Sequence, residues 1–141
     1  MAIRLSDEAR QLAALFESET EATVRDCVID DDHGRVLLLI KPGEMAQAIG
    51  PAGEHVSRVE DRVGKPIKLV EDAETPEVFV ANALAPAAVY NVTISENDDR
   101  VAYVEVDDAD RGAAIGDGGE NIDAARLLAS RHFGVDDVEL T

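Results

Sequence analysis

The sequence predicts an α+β protein made of two copies of one αββααβ unit, each a three-stranded sheet with helices packed on one face. Three observations predict it. The hydrophobic period switches between helical and strand-like in the same order in each half. Each half contains Ile-Gly-x-x-Gly, as Ile49-Gly50-Pro51-Ala52-Gly53 and as Ile115-Gly116-Asp117-Gly118-Gly119. A shift of 66 residues lays Ala48-Ile49-Gly50 on Ala114-Ile115-Gly116, Gly53-Glu54 on Gly119-Glu120 and Val56 on Ile122, which marks an internal repeat.

In the first half, Leu5, Ala9, Leu12, Leu15 and Phe16 fall at helical spacing, and the helix spans residues 6–19. Ser6 is the candidate N-cap, followed by Asp7 and Glu8 where the helix dipole favours acids. Residues 22–29 and 35–40 have strand character, and Asp30-Asp31-Asp32-His33-Gly34 between them has turn chemistry. Residues 44–49 read as a short helix broken at the glycine loop. A second helix sets Val56, Val59 and Val63 on one face and ends near Gly64, before Pro66. Residues 67–70 close the unit as a strand.

The polar, proline-terminated stretch Glu71-Asp72-Ala73-Glu74-Thr75-Pro76 is the expected junction, giving domains at 1–75 and 76–141. Beyond it, residues 77–84 read as a helix with Pro86 as a stop. Residues 89–95 and 100–106 are strands around Asn97-Asp98-Asp99. Residues 110–115 are a short helix, residues 120–132 a longer one capped by Gly134, and residues 135–140 the last strand.

The two loops have a common physics. Glycine at each end permits a tight turn and removes the side chain that would keep another backbone away. The helix beginning at the loop aims its free N–H groups and positive dipole end there, which suits a phosphate. A single GXXG is a weak signal, since it also serves as a plain helix–helix turn. Two copies, each after two strands and before a helix and a strand, are a strong one. This is the arrangement of the KH domain, whose GXXG loop clamps the backbone of about four nucleotides.

The order of elements around Ile-Gly-x-x-Gly resembles the type II KH domains of the NusA family of transcription termination/antitermination factors. More closely, the chain is similar to the short archaeal NusA-like proteins, which consist of two KH domains and nothing else. The matching stretches are Arg25-Asp26-Cys27-Val28-Ile29-Asp30, Leu84-Ala85-Pro86-Ala87, Asp110-Arg111-Gly112-Ala113-Ala114-Ile115-Gly116, Arg131-His132-Phe133 and Asp136-Asp137-Val138-Glu139. The resemblance covers essentially the whole chain and implies two tandem type II KH domains. It further implies single-stranded, nascent RNA as partner, RNA polymerase as a second one, and a role in termination or antitermination. Fold alone does not license that role.

Family loops usually have a lysine at a middle position, a ready phosphate partner. Pro51-Ala52 and Asp117-Gly118 stand there instead. Pro51 removes a backbone N–H, and Asp117 sets a negative charge on the expected RNA path. Basic residues gather after the first loop, where Arg58, Arg62, Lys65 and Lys68 fall within eleven residues. Arg58 and Arg62 either meet RNA or form a solvated face paired with Glu54 and Asp61. The first domain has sixteen acids against nine bases and the second fourteen against four, so the first is the better candidate for electrostatic contact. Ile49, Val56, Ile115 and Ile122 either support bases or belong to the core.

The formal net charge is −17, and only Lys41, Lys65 and Lys68 among thirteen bases are lysine. The acids are spread along the chain. At molar salt the Debye length is about 3 Å, so dispersed carboxylates barely repel each other or a phosphate backbone. The distribution fits a halophilic archaeon. No apolar run approaches the ~20 residues of a membrane helix. The N-terminal stretch lacks a signal core, and Cys27, expected as a half-buried strand residue, supports neither disulfide nor zinc chemistry. The cytoplasm is the expected location.

Enzyme motifs fail on particular residues. Asn121 stands where a dinucleotide fingerprint needs glycine, and no Walker lysine follows either loop. Asp30-Asp31-Asp32 and Asp107-Asp108-Ala109-Asp110 lack the glycine and glutamate of a calcium loop and read as solvated turns. His33, His55 and His132 have no metal spacing, so neither metal nor cofactor is expected. Low aromatic content, 4% with no tryptophan, argues against folds that stack bases on aromatic platforms. Two readings remain: an RNA-binding protein using both loops, or an interaction module docking on RNA polymerase or another basic partner with weak or lost RNA binding.

Overall fold

The computed structural model describes residues 4–141. Met1, Ala2 and Ile3, part of the stretch expected to lack a signal core, lie outside the described residues. The chain divides into two compact units between Asp72 and Ala73, and each runs α-β-β-α-α-β, the fold class the sequence predicts.

The first unit comprises α1 (Asp7–Thr20), β1 (Val24–Asp30), β2 (Arg35–Ile40), α2 (Met45–Ile49), α3 (Glu54–Val63) and β3 (Ile67–Glu71). Its sheet has the order β1-β2-β3, with β1 antiparallel and β3 parallel to β2. Leu38 faces Cys27 on one side and Leu69 on the other. Ser6 caps α1 by accepting from the Ala9 N–H at 3.1 Å. Residues 20–22 close the helix: the Thr20 hydroxyl donates to the Phe16 carbonyl at 2.8 Å and accepts from the Ala22 N–H at 3.1 Å. The strand therefore begins at Val24 rather than Ala22. Phe16 is fully buried among Ala13, Leu38 and Val59, and such burial is worth about 1.5–3 kcal/mol.

All six residues of β2 are buried, in keeping with its continuous apolar run. Cys27 is fully rather than half buried. Asp30 and Arg35, register partners at the hairpin end, are also buried and meet at 3.3 Å between Nε and Oδ2. Asp30 is thus a structural partner of Arg35, not a solvated turn residue.

The second unit comprises α4 (Pro76–Ala83), β4 (Val89–Glu96), β5 (Arg100–Val106), α5 (Arg111–Ile115), α6 (Glu120–Phe133) and β6 (Asp137–Leu140). Its sheet repeats the first, with the order β4-β5-β6 and Val104 between Val92 and Leu140. Pro76, expected to end the junction, is instead the first residue of α4, where a missing N–H costs nothing, and Thr75 caps it. Phe79 is fully buried, its ring edge-on to Phe133 at 5.0 Å. Gly134 ends α6 in the left-handed region, as expected. Val135 then bonds back to the Ala129 carbonyl at 3.3 Å, so β6 starts at Asp137, two residues later than expected. No helix among the described residues is long and apolar enough to cross a membrane.

Candidate nucleic-acid interface

The two glycine loops have nearly the same backbone. Gly50 lies at φ 77°, ψ 170° and Gly116 at φ 78°, ψ 173°. The third loop residue is left-handed in both, Ala52 at φ 55° and Gly118 at φ 60°, and so is the fourth, Gly53 at φ 76° and Gly119 at φ 80°. The N–H of Gly53 bonds to Gly50 O, and that of Gly119 to Gly116 O, each at 3.1 Å. In both loops the two middle residues are exposed. The loop leads directly into α3 or α6, whose first-turn N–H groups face it. Glu54, Glu120 and Asp123 already occupy those first turns, so an anion there competes with carboxylates.

A latch holds each loop. His55 and Asn121 lie 66 residues apart, at the same place in the repeat. His55 Nδ1 donates to the Gln47 carbonyl at 2.7 Å. Asn121 Nδ2 lies 3.2 Å from both the Ala113 and Ala114 carbonyls and 3.0 Å from that of Leu84. Each side chain thus occupies the orphan carbonyls of the short helix before the loop. The first loop glycine is required by the same packing. A Cβ on Gly116 would come within 2.8 Å of the Asn121 backbone nitrogen, and one on Gly50 would strike the His55 ring.

Ile49 and Ile115 are each 40% exposed, unusual for isoleucine, while Val56 is half-buried and Ile122 buried. In the second unit Ile115, Gly118, Gly119 and Ile122 line a groove of about 570 Å³, together with Arg111, Asp123, Arg126 and the β6 residues Glu139 and Leu140. Arg111 and Arg126 were not among the sequence candidates. The corresponding positions of the first unit, 66 residues earlier, hold Met45 and Glu60.

Arg58 and Arg62, the cations singled out from sequence, meet Glu19 at the end of α1 instead of Glu54 or Asp61. Arg58 Nη1 lies 3.9 Å from Glu19 Oε2, and Arg62 bonds to Glu19 Oε1. Lys65 Nζ lies 4.0 Å from Glu8. Both arginines remain half exposed, so these contacts stabilise the fold little. They do direct the guanidinium groups toward an acid.

Carboxylates also fix the strands beneath the loops. The Thr23 N–H donates to Glu44 Oε1 at 2.6 Å, and the Ala88 N–H to Asp110 Oδ2 at 3.0 Å, the same bond in each repeat. The Thr23 amide holds the Glu44 pKa below its ordinary value. Asp107 accepts from the Tyr90 hydroxyl at 2.7 Å, the main cause of a lowered Asp107 pKa and a raised Tyr90 pKa. Asp107 and Asp110, in the expected solvated turn, thus also hold the start of β4 in place. No group of three or more His, Cys, Asp or Glu among the described residues is arranged to hold a metal.

Two αββααβ units, each presenting a GXXG loop between latched helices, define a tandem KH-domain protein. Family comparison agrees: residues 12–80 match the KH domain, and residues 76–140 match the NusA-like second KH domain. The chain belongs to the NusA family. The probable transcription termination protein NusA of Halobacterium salinarum is 59% identical over 141 residues, spanning all of both chains. Its namesake from Halococcus morrhuae is 57% identical over 140 residues, covering 99% of each. Among solved structures, the crystal structure of APE1850 matches with a TM-score of 0.85 at 30% identity, covering 97% of this chain and all of that one.

Proposed function

We propose that this protein is a cytoplasmic, non-catalytic factor of transcription termination or antitermination that grips single-stranded nascent RNA with its two GXXG loops. The observation that supports it best is the repeated loop geometry: two exposed loops with matching dihedrals, each opening onto the first turn of a helix. In this reading the phosphate backbone crosses Gly50-Pro51-Ala52-Gly53 and Gly116-Asp117-Gly118-Gly119, against glycines that let it approach closely. Bases turn inward onto Ile49 and Ile115, whose exposed side chains offer apolar contact. Domains at 1–75 and 76–141 each supply one such surface. Arg58 and Arg62 contribute only if RNA displaces Glu19. The names of the two haloarchaeal relatives support the role in termination.

The test is a titration of the full chain with fluorescent single-stranded RNA over a KCl series, down to the lowest salt at which melting curves show it folded. Asp117→Lys removes a like charge from the RNA path and should tighten binding severalfold at the low-salt end, while Pro51→Asp should weaken it there. Unchanged affinity in both variants, with melting curves intact, overturns the loop reading.

The rival reading, docking on RNA polymerase or another basic partner, has one feature in its favour. A cleft of about 270 Å³ between α4 and β4 is lined by Val78, Ala81, Val89, Tyr90 and Val92, with Val78 and Tyr90 more than half exposed. Binding to purified polymerase that survives in the two loop variants, with no RNA binding by the native chain, selects this rival.

A further inference from the structure

We infer that Arg126 reads a base rather than a phosphate, selecting guanine or cytosine in the groove of the second unit; this rests on the RNA-binding reading above. Arg126 stands on the groove wall, one helical turn beyond Ile122 and beside β6. Its guanidinium is held by three acceptors. Nε donates to the Val138 carbonyl at 3.2 Å and lies 3.0 Å from Asp137 Oδ1, while Nη1 donates to Asp123 Oδ1 at 3.1 Å. Among the described residues nothing engages Nη2, so both its N–H groups, with the second N–H of Nη1, are left to the groove.

Charge decides between the two kinds of ligand. Two carboxylates beside one guanidinium leave the cluster net negative, and a phosphate arriving there would face Asp123 and Asp137 as well as Arg126. A neutral base avoids that repulsion and still uses the free donors. The carboxylates then have a positioning role, because a fork already fixed in its plane loses little freedom on binding. Such a fork demands two neighbouring acceptors on one edge. Guanine presents O6 and N7, and cytosine O2 and N3. Adenine alternates acceptors with its amino group, and uracil separates its two oxygens by N3–H, so neither fits. At the matching place of the first unit Glu60 accepts from the Ile67 N–H at 2.8 Å and offers no donor. The selection therefore belongs to the second unit alone.

The experiment titrates the full chain in molar KCl with a labelled adenine octamer and with octamers containing one guanine or one cytosine at each position in turn. At one position guanine or cytosine should tighten binding about tenfold over adenine. Arg126→Lys keeps the charge and loses the fork. It should abolish the preference while changing affinity for the adenine octamer less than about threefold. A change on the RNA alone gives the same test independently of folding: 7-deazaguanine or 3-deazacytosine at that position should bind no better than adenine. Equal affinity for every base, a preference that survives Arg126→Lys, or a uniform loss across all octamers in that variant overturns the inference while leaving RNA binding intact. No binding to any octamer sinks the RNA reading itself, and this inference with it.

Discussion

Asn121 donates its side-chain amide to the Ala113 carbonyl at 3.2 Å, bridging the two helices on either side of the second glycine loop. The same amide reaches Ala114 and Leu84, and the Asn121 side chain is buried. Asn121→Ala should therefore destabilise the second unit by about 2–3 kcal/mol, since each net hydrogen bond is worth ~1 kcal/mol and buried carbonyls would be left unpaired. His55→Ala removes one bond in the first unit and should cost about 1 kcal/mol. Urea unfolding in molar KCl measures both, and a larger loss for His55→Ala than for Asn121→Ala would contradict the latch.

Ala52 and Gly118 provide a reciprocal test. Both sit in the left-handed region, where a side chain costs about 1–2 kcal/mol and glycine nothing. Part of that gain is offset by glycine's extra freedom in the unfolded chain, ~0.5–1 kcal/mol. Ala52→Gly should raise stability by up to about 1 kcal/mol. Gly118→Ala should lower it by a similar amount, through strain alone, because no atom crowds the position. Shifts of the same sign in the two variants would refute the argument.

The elements were legible because their signals are local. The apolar period of α1, the unbroken run of β2 and the loop glycines each act within a few residues. Boundaries moved where a cap outranked a pattern, at Ala22, Pro76 and Val135. The groove cations were harder to see, because their role depends on β6 closing the far wall. Spacing gave a partial signal: Arg111 stands four residues before Ile115, and Arg126 four after Ile122, on the same helix faces. The latch was hidden in the repeat itself, since His55 and Asn121 align but share no letter. The pairing of Arg58 and Arg62 with Glu19 joins residues far apart in sequence, which no local pattern reports.

Acid should reveal the strand anchor at Glu44. Its pKa is lowered in the folded protein, below the ordinary glutamate range, chiefly by the Thr23 amide. A lowered folded pKa stabilises fully above the unfolded value, and the stabilisation disappears as pH falls through the folded value. Glu44→Gln keeps an acceptor for Thr23 but removes the charge. The difference in Tm between wild type and Glu44→Gln should be largest near neutral pH and should close as pH drops below about 4.5. The general relief of acidic repulsion is common to both proteins and cancels in the subtraction. A difference that stays constant with pH would show that the charge on Glu44 contributes nothing.

Salt should stabilise this fold and scarcely weaken its hold on RNA. A net charge of −17 on 141 residues means strong self-repulsion in dilute buffer, and each unit has only a small core to oppose it. Molar KCl shortens the Debye length to about 3 Å, so Tm should climb steeply between low and molar salt. For single-stranded RNA, each phosphate neutralised by a cation adds about −0.7 to the slope of log affinity against log salt. Neither loop has a lysine, Arg58 and Arg62 face Glu19, and Arg126 is flanked by Asp123 and Asp137. Binding would then rest on backbone N–H groups, base edges and apolar contact, with a slope shallower than about −2. Melting curves and RNA titrations over a KCl series measure both quantities. Equal stability at low and molar salt, or an RNA affinity that collapses well below molar KCl, would overturn the halophilic reading, because the same dispersed acids would then be doing nothing that salt can screen.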